Sequence, residues 1–361
     1  MCTQRISKYN FQQWKTRLFS TNNLNTYDSA ITGRLLCIFQ EEEHRFGSVT
    51  EDLSHRLSIP ILTPDGITDV DDNQQFTHRL CLVPYLDGDG IVEESEQYAL
   101  AIQPLITDES SKKQKNKKKK SAVPKMKPFW IDFCPSMAGK RSGQPDMLLH
   151  AIAPQRVGAE GAIVYDLTAG WGQDSLQMAL GGAKNVHMVE RDPIVAILLQ
   201  DALRRVNLIS QSNKANRSWQ ERASKLSETL TLQQGDSKEF LANLVTADGQ
   251  MNTELLPPAD IIYLDPMFPP RTKSAAVKKG MQILHGLFDD GEEATGIEAN
   301  DRREQEEVQL LKLAHGIAKA RVVVKRPIHA PELGSSYSDL KPTNVIKGST
   351  NRFDVYVTNT S

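Results

Sequence analysis

The chain of 361 residues contains few cysteines and no long apolar run. Its four cysteines are scattered and form no CxxC pair, which disfavours a disulfide framework and a zinc site. No stretch approaches the roughly 18 uncharged apolar residues that a membrane-spanning helix needs. We therefore expect a protein of the reducing cytoplasm that does not insert into a membrane.

Two nucleotide-binding motifs are also missing. No GxxxxGK[ST] loop occurs, so nucleoside triphosphate chemistry loses its main support. One glycine-rich turn carries Gly170 and Gly172 but lacks the third glycine of the dinucleotide fingerprint, which disfavours a nicotinamide enzyme. A strong excess of positive charge is absent as well, because the formal net charge is -2. Any contact with nucleic acid must therefore come from local clusters.

The composition, 39% hydrophobic and 24% charged, is that of a globular protein with room for two domains. We predict an N-terminal extension over residues 1–44, a small α/β domain over 45–109 and a main domain over 128–361. Residues 110–127 between them hold nine lysines and no acid. Such a run repels itself and is typical of a solvated insertion, but it also binds a phosphate backbone well. A solubilising segment and an RNA tether both stay open.

Residues 165–192 predict the unit around which the main domain is organised. An apolar strand ends at Asp166, a glycine turn follows, and a helical pattern starts near Asp174. Glycines let the backbone approach a ligand, and the first amides of the helix point toward the loop. A second strand ends at Glu190, about 20 residues beyond the loop, where a carboxylate can hold a ribose. The alternative is an ordinary βαβ crossover with a glycine-rich turn.

Two further predicted strands end in acids. Asp236, followed by Ser237, could accept from an adenine amine, although a lone aspartate at a turn is the alternative. The apolar strand in DIIYLDPMFPP stops at Asp265, and the carbonyl of Pro266 can be held beside that carboxylate. Two acceptors then face one amine, and Phe268 offers an aromatic face on which a splayed-out base can stack. A simple proline-rich turn is the alternative.

Four strand ends bearing acids in this order resemble class I S-adenosylmethionine-dependent methyltransferases, whose amine-modifying members carry a similar Asp-Pro corner. The segments LDPMFPPRTKSAAVKKGMQIL, RVVVKRP and KGSTNRFDVYV are closely similar to the ribosomal RNA small subunit methyltransferase J family. The resemblance covers roughly residues 45–359. It implies an α/β fold with a Rossmann-like, mostly parallel sheet and a small N-terminal α/β domain. It also implies S-adenosylmethionine as cofactor and methylation of a guanine N2, guanine 1516 in bacterial 16S numbering.

The resemblance further implies which residues contact the cofactor. They are Gln173, Asp174, Glu190, Arg191, Asp236, Ser237 and Asp265, in addition to Asp166, Gly170 and Gly172, which the strand and glycine turn described above already point to. The family usually has an arginine at the position of Gln173 and a leucine at that of Trp171. These departures bear on one side-chain contact and leave the backbone role of the loop intact.

Catalysis is expected from Asp265, Pro266 and Phe268, by positioning and electrostatics and without a metal. Basic side chains near the predicted site are expected to hold RNA phosphates. They are Lys140, Arg141, Lys273, Lys278, Lys279, Lys325 and Arg326. A surface turn or a solvated helix face is the alternative for some of them.

The expected partner is 16S ribosomal RNA or the small ribosomal subunit. Two other functions stay open at this point. One is methylation of a different amine, such as adenine N6 or a protein glutamine, because the Asp-Pro corner serves each. The other is a non-catalytic RNA-binding assembly factor that keeps the fold and the lysine run.

Overall fold

The computed structural model of the protein describes thirteen stretches of the chain, and the architecture below refers to these. They are residues 36–39, 47–57, 59, 61–62, 78–85, 98–104, 127–134, 147–153, 161–245, 252–253, 256–266, 297–333 and 340–358. Their strands form a sheet of four and a sheet of seven.

The N-terminal sheet combines short strands with one helix, α1 (Gly47–Leu57). Its strands are β1 (Leu36–Phe39), β2 (Ile61–Leu62), β3 (His78–Pro84) and β4 (Tyr98–Pro104). Their order is β2-β1-β3-β4, with β1 parallel to β2 and β3, and β4 antiparallel to β3. Strand β1 lies in the range predicted as an extension, so this sheet begins before residue 45. The domain bounds themselves stay a prediction.

The seven-stranded sheet has the order β10-β11-β9-β8-β5-β6-β7. Its strands are β5 (Ile163–Asp166), β6 (Asn185–Glu190), β7 (Leu230–Gln234), β8 (Ile261–Leu264), β9 (Arg321–Pro327), β10 (Asn344–Lys347) and β11 (Asn351–Val357). Strands β5 to β9 are parallel, and β11 pairs antiparallel with β9 and β10. The predicted Rossmann-like, mostly parallel sheet is confirmed, and its antiparallel strands lie near the C-terminus.

Six further helices accompany this sheet. They are α2 (Met147–Ile152), α3 (Gln173–Leu180), α4 (Pro193–Gln211), α5 (Arg217–Thr229), α6 (Ser237–Asn243) and α7 (Ile297–Ile317). Helix α4 begins after Asp192, because the Asp192 carboxylate accepts from the amides of Ile194 and Val195 and a proline follows it. Among the described helices, none combines the length and apolar character that crossing a membrane would need.

Alternation along the parallel strands divides the core between the two faces of the sheet. Val164, Tyr263 and Val323 pack in one core with α3, α4 and α5. Their chain neighbours Tyr165 and Ile262 pack in the other with α6 and α7. Successive side chains of a strand point to opposite faces, so each residue at a strand end is assigned to one helical layer.

A buried ion-pair cluster fixes the N-terminal sheet on α4. The Asp201 carboxylate accepts from the Leu100 amide of β4 at 2.9 Å and from Arg205 Nε at 3.0 Å. Arg205 is 2% exposed; it also pairs with Asp132 at 3.3 Å and donates to the carbonyl of Ile131. The two sheets therefore share one continuous core.

Candidate active site

Backbone bonds draw the carboxyl ends of β5, β6, β7 and β8 into one rim. They run from Leu167 N to Tyr263 O (3.1 Å), from Ala169 N to Val189 O (3.1 Å) and from Gly235 N to Glu190 O (2.9 Å). The Ser237 hydroxyl adds a bond to the Leu167 carbonyl at 2.5 Å. Ligands of parallel α/β sheets collect at this edge, and the acids predicted at the four strand ends all lie along it.

The glycine turn between β5 and α3 has two positions that need glycine for different reasons. Gly170 has φ +51°, and a Cβ there would meet only Thr168 O at 3.9 Å, so its backbone is open to a ligand. Gly172 has φ +68°, and a Cβ there would lie 2.7 Å from Leu199 Cδ2 and 2.9 Å from Phe133 Cζ. Gly170 suits close approach by a ligand, whereas Gly172 lets the turn pack on α4.

We expect Gly172→Ala to destabilise the fold more than the same change at Gly161. Both glycines have positive φ, but a Cβ at Gly161 meets no atom within 4 Å. Gly161→Ala should cost about 1 kcal/mol from its left-handed backbone alone. Gly172→Ala should cost about 2 kcal/mol more because Leu199 and Phe133 must move. Urea unfolding of the two variants measures the difference, and equal losses would contradict this packing role.

Asp166 supports the loop from beneath. Its carboxylate is fully buried and accepts from the Thr168 amide at 3.1 Å and from the Ser175 hydroxyl at 2.5 Å. Burial raises the pKa of this carboxyl to about 7. The residue was predicted to contact the cofactor. That contact stays a prediction, and in this structure both oxygens are directed to the loop and to α3 and the side chain has almost no exposed surface.

Glu190, at the end of β6, also holds the loop. Its two carboxylate oxygens accept from the amides of Gly170 and Asp192, each at 2.8 Å. Burial raises its pKa to about 7. A carboxylate oxygen can accept more than one hydrogen bond, so Glu190 can still receive the hydroxyls of a ribose.

The raised pKa values of Asp166 and Glu190 predict that folding stability falls as pH rises from about 4 to about 7. An unfolded carboxyl gives up its proton near pH 4, while these folded carboxyls keep theirs to about pH 7. Their stabilising contribution is complete below the unfolded pKa and lost as pH passes the folded one. Urea unfolding between pH 4.5 and pH 8 should show this slope, and Asp166→Asn should make it shallower. An unchanged slope in that variant would contradict the assignment.

Asp236 and Ser237 begin α6. The Asp236 carboxylate caps the helix, with Oδ1 accepting from the amides of Lys238 and Glu239 at 2.8 Å and 3.2 Å. Both bonds use one oxygen, so Oδ2 is the atom that a ligand amine can reach. Gln173 and Arg191 are exposed on the same rim, at the start of α3 and after β6.

The corner after β8 joins two carboxylates through one cation. Lys325 Nζ lies 2.9 Å from Asp265 Oδ2 and 2.6 Å from Asp174 Oδ2. The Tyr263 hydroxyl donates to the same Asp174 oxygen at 2.6 Å, and the Asp265 amide donates to Thr168 Oγ1 at 2.5 Å. Burial raises the pKa of Asp265 to about 6, with Lys325 opposing the rise and Asp174 adding to it.

Two residues predicted to contact RNA, Lys325 and Arg326, are bonded to groups of the protein itself. Lys325 faces the carboxylates, whereas Arg326, 4% exposed, lies 3.8 Å from Glu307 and donates to the Pro331 carbonyl. The prediction that Arg326 holds an RNA phosphate is wrong because the guanidinium is buried. The part played by Lys325 was missed, although register could have shown it. Leu264 pairs with Val324, so the next residues, Asp265 and Lys325, lie side by side.

Several predicted residues lie outside the described ranges. They are the RNA-binding candidates Lys140, Arg141, Lys273, Lys278 and Lys279, the catalytic candidate Phe268, and nearly all of the lysine run. Pro266 lies within the described ranges and is buried.

The donor and acceptor set on this rim fits S-adenosylmethionine. The open backbone at Gly170 admits a ligand, Glu190 and Asp236 offer acceptors for ribose hydroxyls and an adenine amine, and Asp174 offers a carboxylate for an ammonium group. No three His, Cys, Asp or Glu side chains cluster as metal ligands anywhere in the described stretches.

Comparisons with known proteins show the family. The SAM-dependent methyltransferase family SAM_MT matches residues 103–358. A ribosomal RNA small subunit methyltransferase J of Shewanella piezotolerans is 37% identical over 238 residues, 65% of this chain and 74% of that protein. Its counterpart in Thioalkalivibrio sulfidiphilus is 35% identical over 237 residues, 64% of this chain and 76% of that protein.

A crystal structure of a SAM-dependent methyltransferase from Neisseria gonorrhoeae has the same fold. Its TM-score is 0.51 at 22% identity, covering 90% of this chain and 97% of that one. This likeness shows a common fold. The chain belongs to the SAM-dependent methyltransferases and, among them, to the ribosomal RNA small subunit methyltransferase J family.

Proposed function

We propose that this enzyme transfers a methyl group from S-adenosylmethionine to the exocyclic N2 of a guanine in small-subunit ribosomal RNA, guanine 1516 in bacterial 16S numbering. The observation that carries the proposal is the corner at Asp265 and Pro266, which stands at the rim beside the glycine turn. Two relatives named ribosomal RNA small subunit methyltransferase J, 37% and 35% identical, support small-subunit ribosomal RNA as the substrate.

The chemistry required of Asp265 and Pro266 follows from the group that accepts the methyl, an exocyclic amine. An exocyclic amine is a poor nucleophile because its lone pair is delocalised into the ring. We expect the Asp265 carboxylate and the Pro266 carbonyl to accept its two hydrogens and favour a pyramidal nitrogen. When bound, the cofactor would supply a methyl group from a positively charged sulfur. That sulfur would then be part of a neutral thioether. The acceptor nitrogen then carries the positive charge and loses a proton to Asp265, so catalysis is positioning and electrostatics.

The cofactor would be held by groups already fixed on the rim. The Gly170 backbone would lie against it, Glu190 would accept from the ribose, and Oδ2 of Asp236 would accept from the adenine amine. Asp174 would receive the ammonium group of the amino-acid end. Arg191 and Gln173 are exposed beside these positions and are further candidates for contact.

The substrate would be held by residues that carry charge or stack. We propose that Phe268 stacks on the target guanine and that the basic residues of the chain hold flanking phosphates. These are Lys140, Arg141, Lys273, Lys278 and Lys279, with the lysine run 110–127 as a tether. The proposed substrate also places the enzyme in the cytoplasm.

Transfer of a tritiated methyl group to competing substrates tests the proposal. The purified enzyme is incubated with labelled cofactor and with unmodified 16S RNA, 30S subunits, duplex DNA or a protein mixture. Label is expected in the RNA, free or assembled, and absent from DNA and protein. Label in DNA or protein alone would favour methylation of another amine. Failure to bind the cofactor in a titration would favour a non-catalytic scaffold.

A further inference from the structure

Lys325 places a cation between Asp174 and Asp265, and the proposed function assigns no role to it. Lys325 Nζ is within 3 Å of both carboxylates, and its side chain is 21% exposed, against 22% for Asp174 and 35% for Asp265. These three groups lie on the sheet face that carries α3. Lys325 is therefore held beside the reacting corner, away from the surface where a phosphate would meet it.

We propose that Lys325 is a positioning residue for methyl transfer, which keeps Asp265 ionised and turns one of its carboxylate oxygens toward the acceptor amine. The proposal rests on the proposed function, because the group to be oriented is an exocyclic amine. Lys325 bonds Oδ2 of Asp265, and the Asp265 amide is held by Thr168 Oγ1. With one oxygen and the backbone fixed, Oδ1 is the atom offered to the amine hydrogen.

The charge balance of the cluster supports this role. Two carboxylates and one ammonium group leave one negative charge, and Asp174 receives a further hydrogen bond from Tyr263. Without the cation, two partly buried carboxylates would face each other, and one of them would take up a proton. Within the described stretches, the charged groups that face Asp265 are Asp174 on α3, Lys325 on β9 and, more deeply, Asp166 on β5.

The proton step explains why ionisation matters. After transfer the acceptor nitrogen gives one proton to Asp265 Oδ1 and keeps the electron pair of the N–H bond, which restores a neutral amine. Asp265 then passes that proton to water, because its side chain is 35% exposed. A carboxyl that is already protonated cannot accept it, so the rate should fall as pH drops through the pKa of Asp265.

Lys325→Met tests this role by its effect on the pH profile. We expect kcat at pH 7 to fall about 100-fold, mainly because the Asp265 carboxylate is no longer oriented, and the acidic limb of the profile to move to higher pH by about one pH unit because the cation is lost. Lys325→Arg keeps the charge and should leave the limb near its wild-type position. Lys312→Met makes the same change at an exposed site on α7 and should leave both kcat and the profile unchanged.

A charge-balanced double variant distinguishes the loss of the proposed Lys325 role from misfolding. Asp174→Asn combined with Lys325→Met restores the net charge of the cluster, so its melting temperature should exceed that of Lys325→Met, and its acidic limb should return toward lower pH. A loss of kcat in Lys325→Met with an unmoved limb would overturn the proposal, because it would indicate a merely structural role. A wild-type profile in Lys325→Met would overturn it as well.

The Asp265 pKa can also be measured without any substrate. Its carboxyl carbon signal in ¹³C NMR is assigned by its absence in Asp265→Asn, and the pKa should be higher in Lys325→Met than in the wild type. An equal Asp265 pKa in the two proteins would contradict the role proposed for Lys325, whatever the substrate is. Absence of label in RNA from the wild-type enzyme would instead count against the proposed function alone.

Discussion

Asp265→Ala is expected to lower methyl transfer by about 1,000-fold or more while the protein stays folded and still binds its cofactor through the other predicted contacts on the rim. The rate should fall because the variant removes both the acceptor for the amine hydrogen and the group that takes its proton. The fold should persist because the amide of residue 265 still donates to Thr168 Oγ1 and Lys325 keeps its 2.6 Å pair with Asp174. Single-turnover transfer and a cofactor titration measure the two quantities separately.

Asp301→Ala is a suitable control for that experiment. Asp301 is exposed on α7, so the same loss of a carboxylate there should leave transfer unchanged. Asp265→Ala with a rate within about tenfold of the wild type would contradict a role at the reacting centre. An unfolded Asp265→Ala protein would contradict the independence of fold and catalysis.

Arg205→Leu is expected to destabilise the protein by about 3 kcal/mol, because it removes the buried cation that Asp201 and Asp132 share, although Asp201 keeps Arg204 at 3.0 Å. Arg205 joins Asp201 of α4 to Asp132 and to the Ile131 carbonyl. The segment it holds continues into Phe133, whose ring packs at Gly172. Cofactor affinity should therefore weaken together with stability.

The exposed pair of Arg217 and Glu221 provides the comparison for Arg205. Their atoms are 2.9 Å apart, but the side chains are 91% and 66% exposed. Arg217→Leu should change stability by less than about 1 kcal/mol and leave cofactor affinity unchanged. Urea unfolding and a cofactor titration of both variants make the test. Similar small losses in stability would show that the buried network does not fix the N-terminal sheet.

The strand ends of the site were predictable because each is an apolar run that stops at an acid. Asp166, Glu190 and Asp265 all lie at the carboxyl edge as expected, and α4 begins at its capping aspartate. What the pattern lacks is the environment of each acid. Asp166 is fully buried while Asp265 keeps 35% of its side-chain surface. Similar motifs therefore have different roles, and only packing separates them.

The neighbouring residues Lys325 and Arg326 also have environments that their sequence motif does not reveal. Their sequence predicts two cations that bind phosphate, but successive residues of a strand point to opposite faces. One side chain reaches Asp174 and Asp265, and the other reaches Glu307 on α7. Burial of Arg326 depends on the helix above it, which sequence periodicity does not identify. Strand alternation alone would have separated the pair.

Mass spectrometry of nucleosides from treated small-subunit RNA tests the central claim most directly. Unmodified 16S RNA and 30S subunits are incubated with S-adenosylmethionine and either wild-type enzyme or Asp265→Ala, then digested and mapped. The account predicts N2-methylguanosine at guanine 1516 in bacterial numbering with the wild type only. Methylation at another atom or another base, or equal methylation by Asp265→Ala, would contradict it.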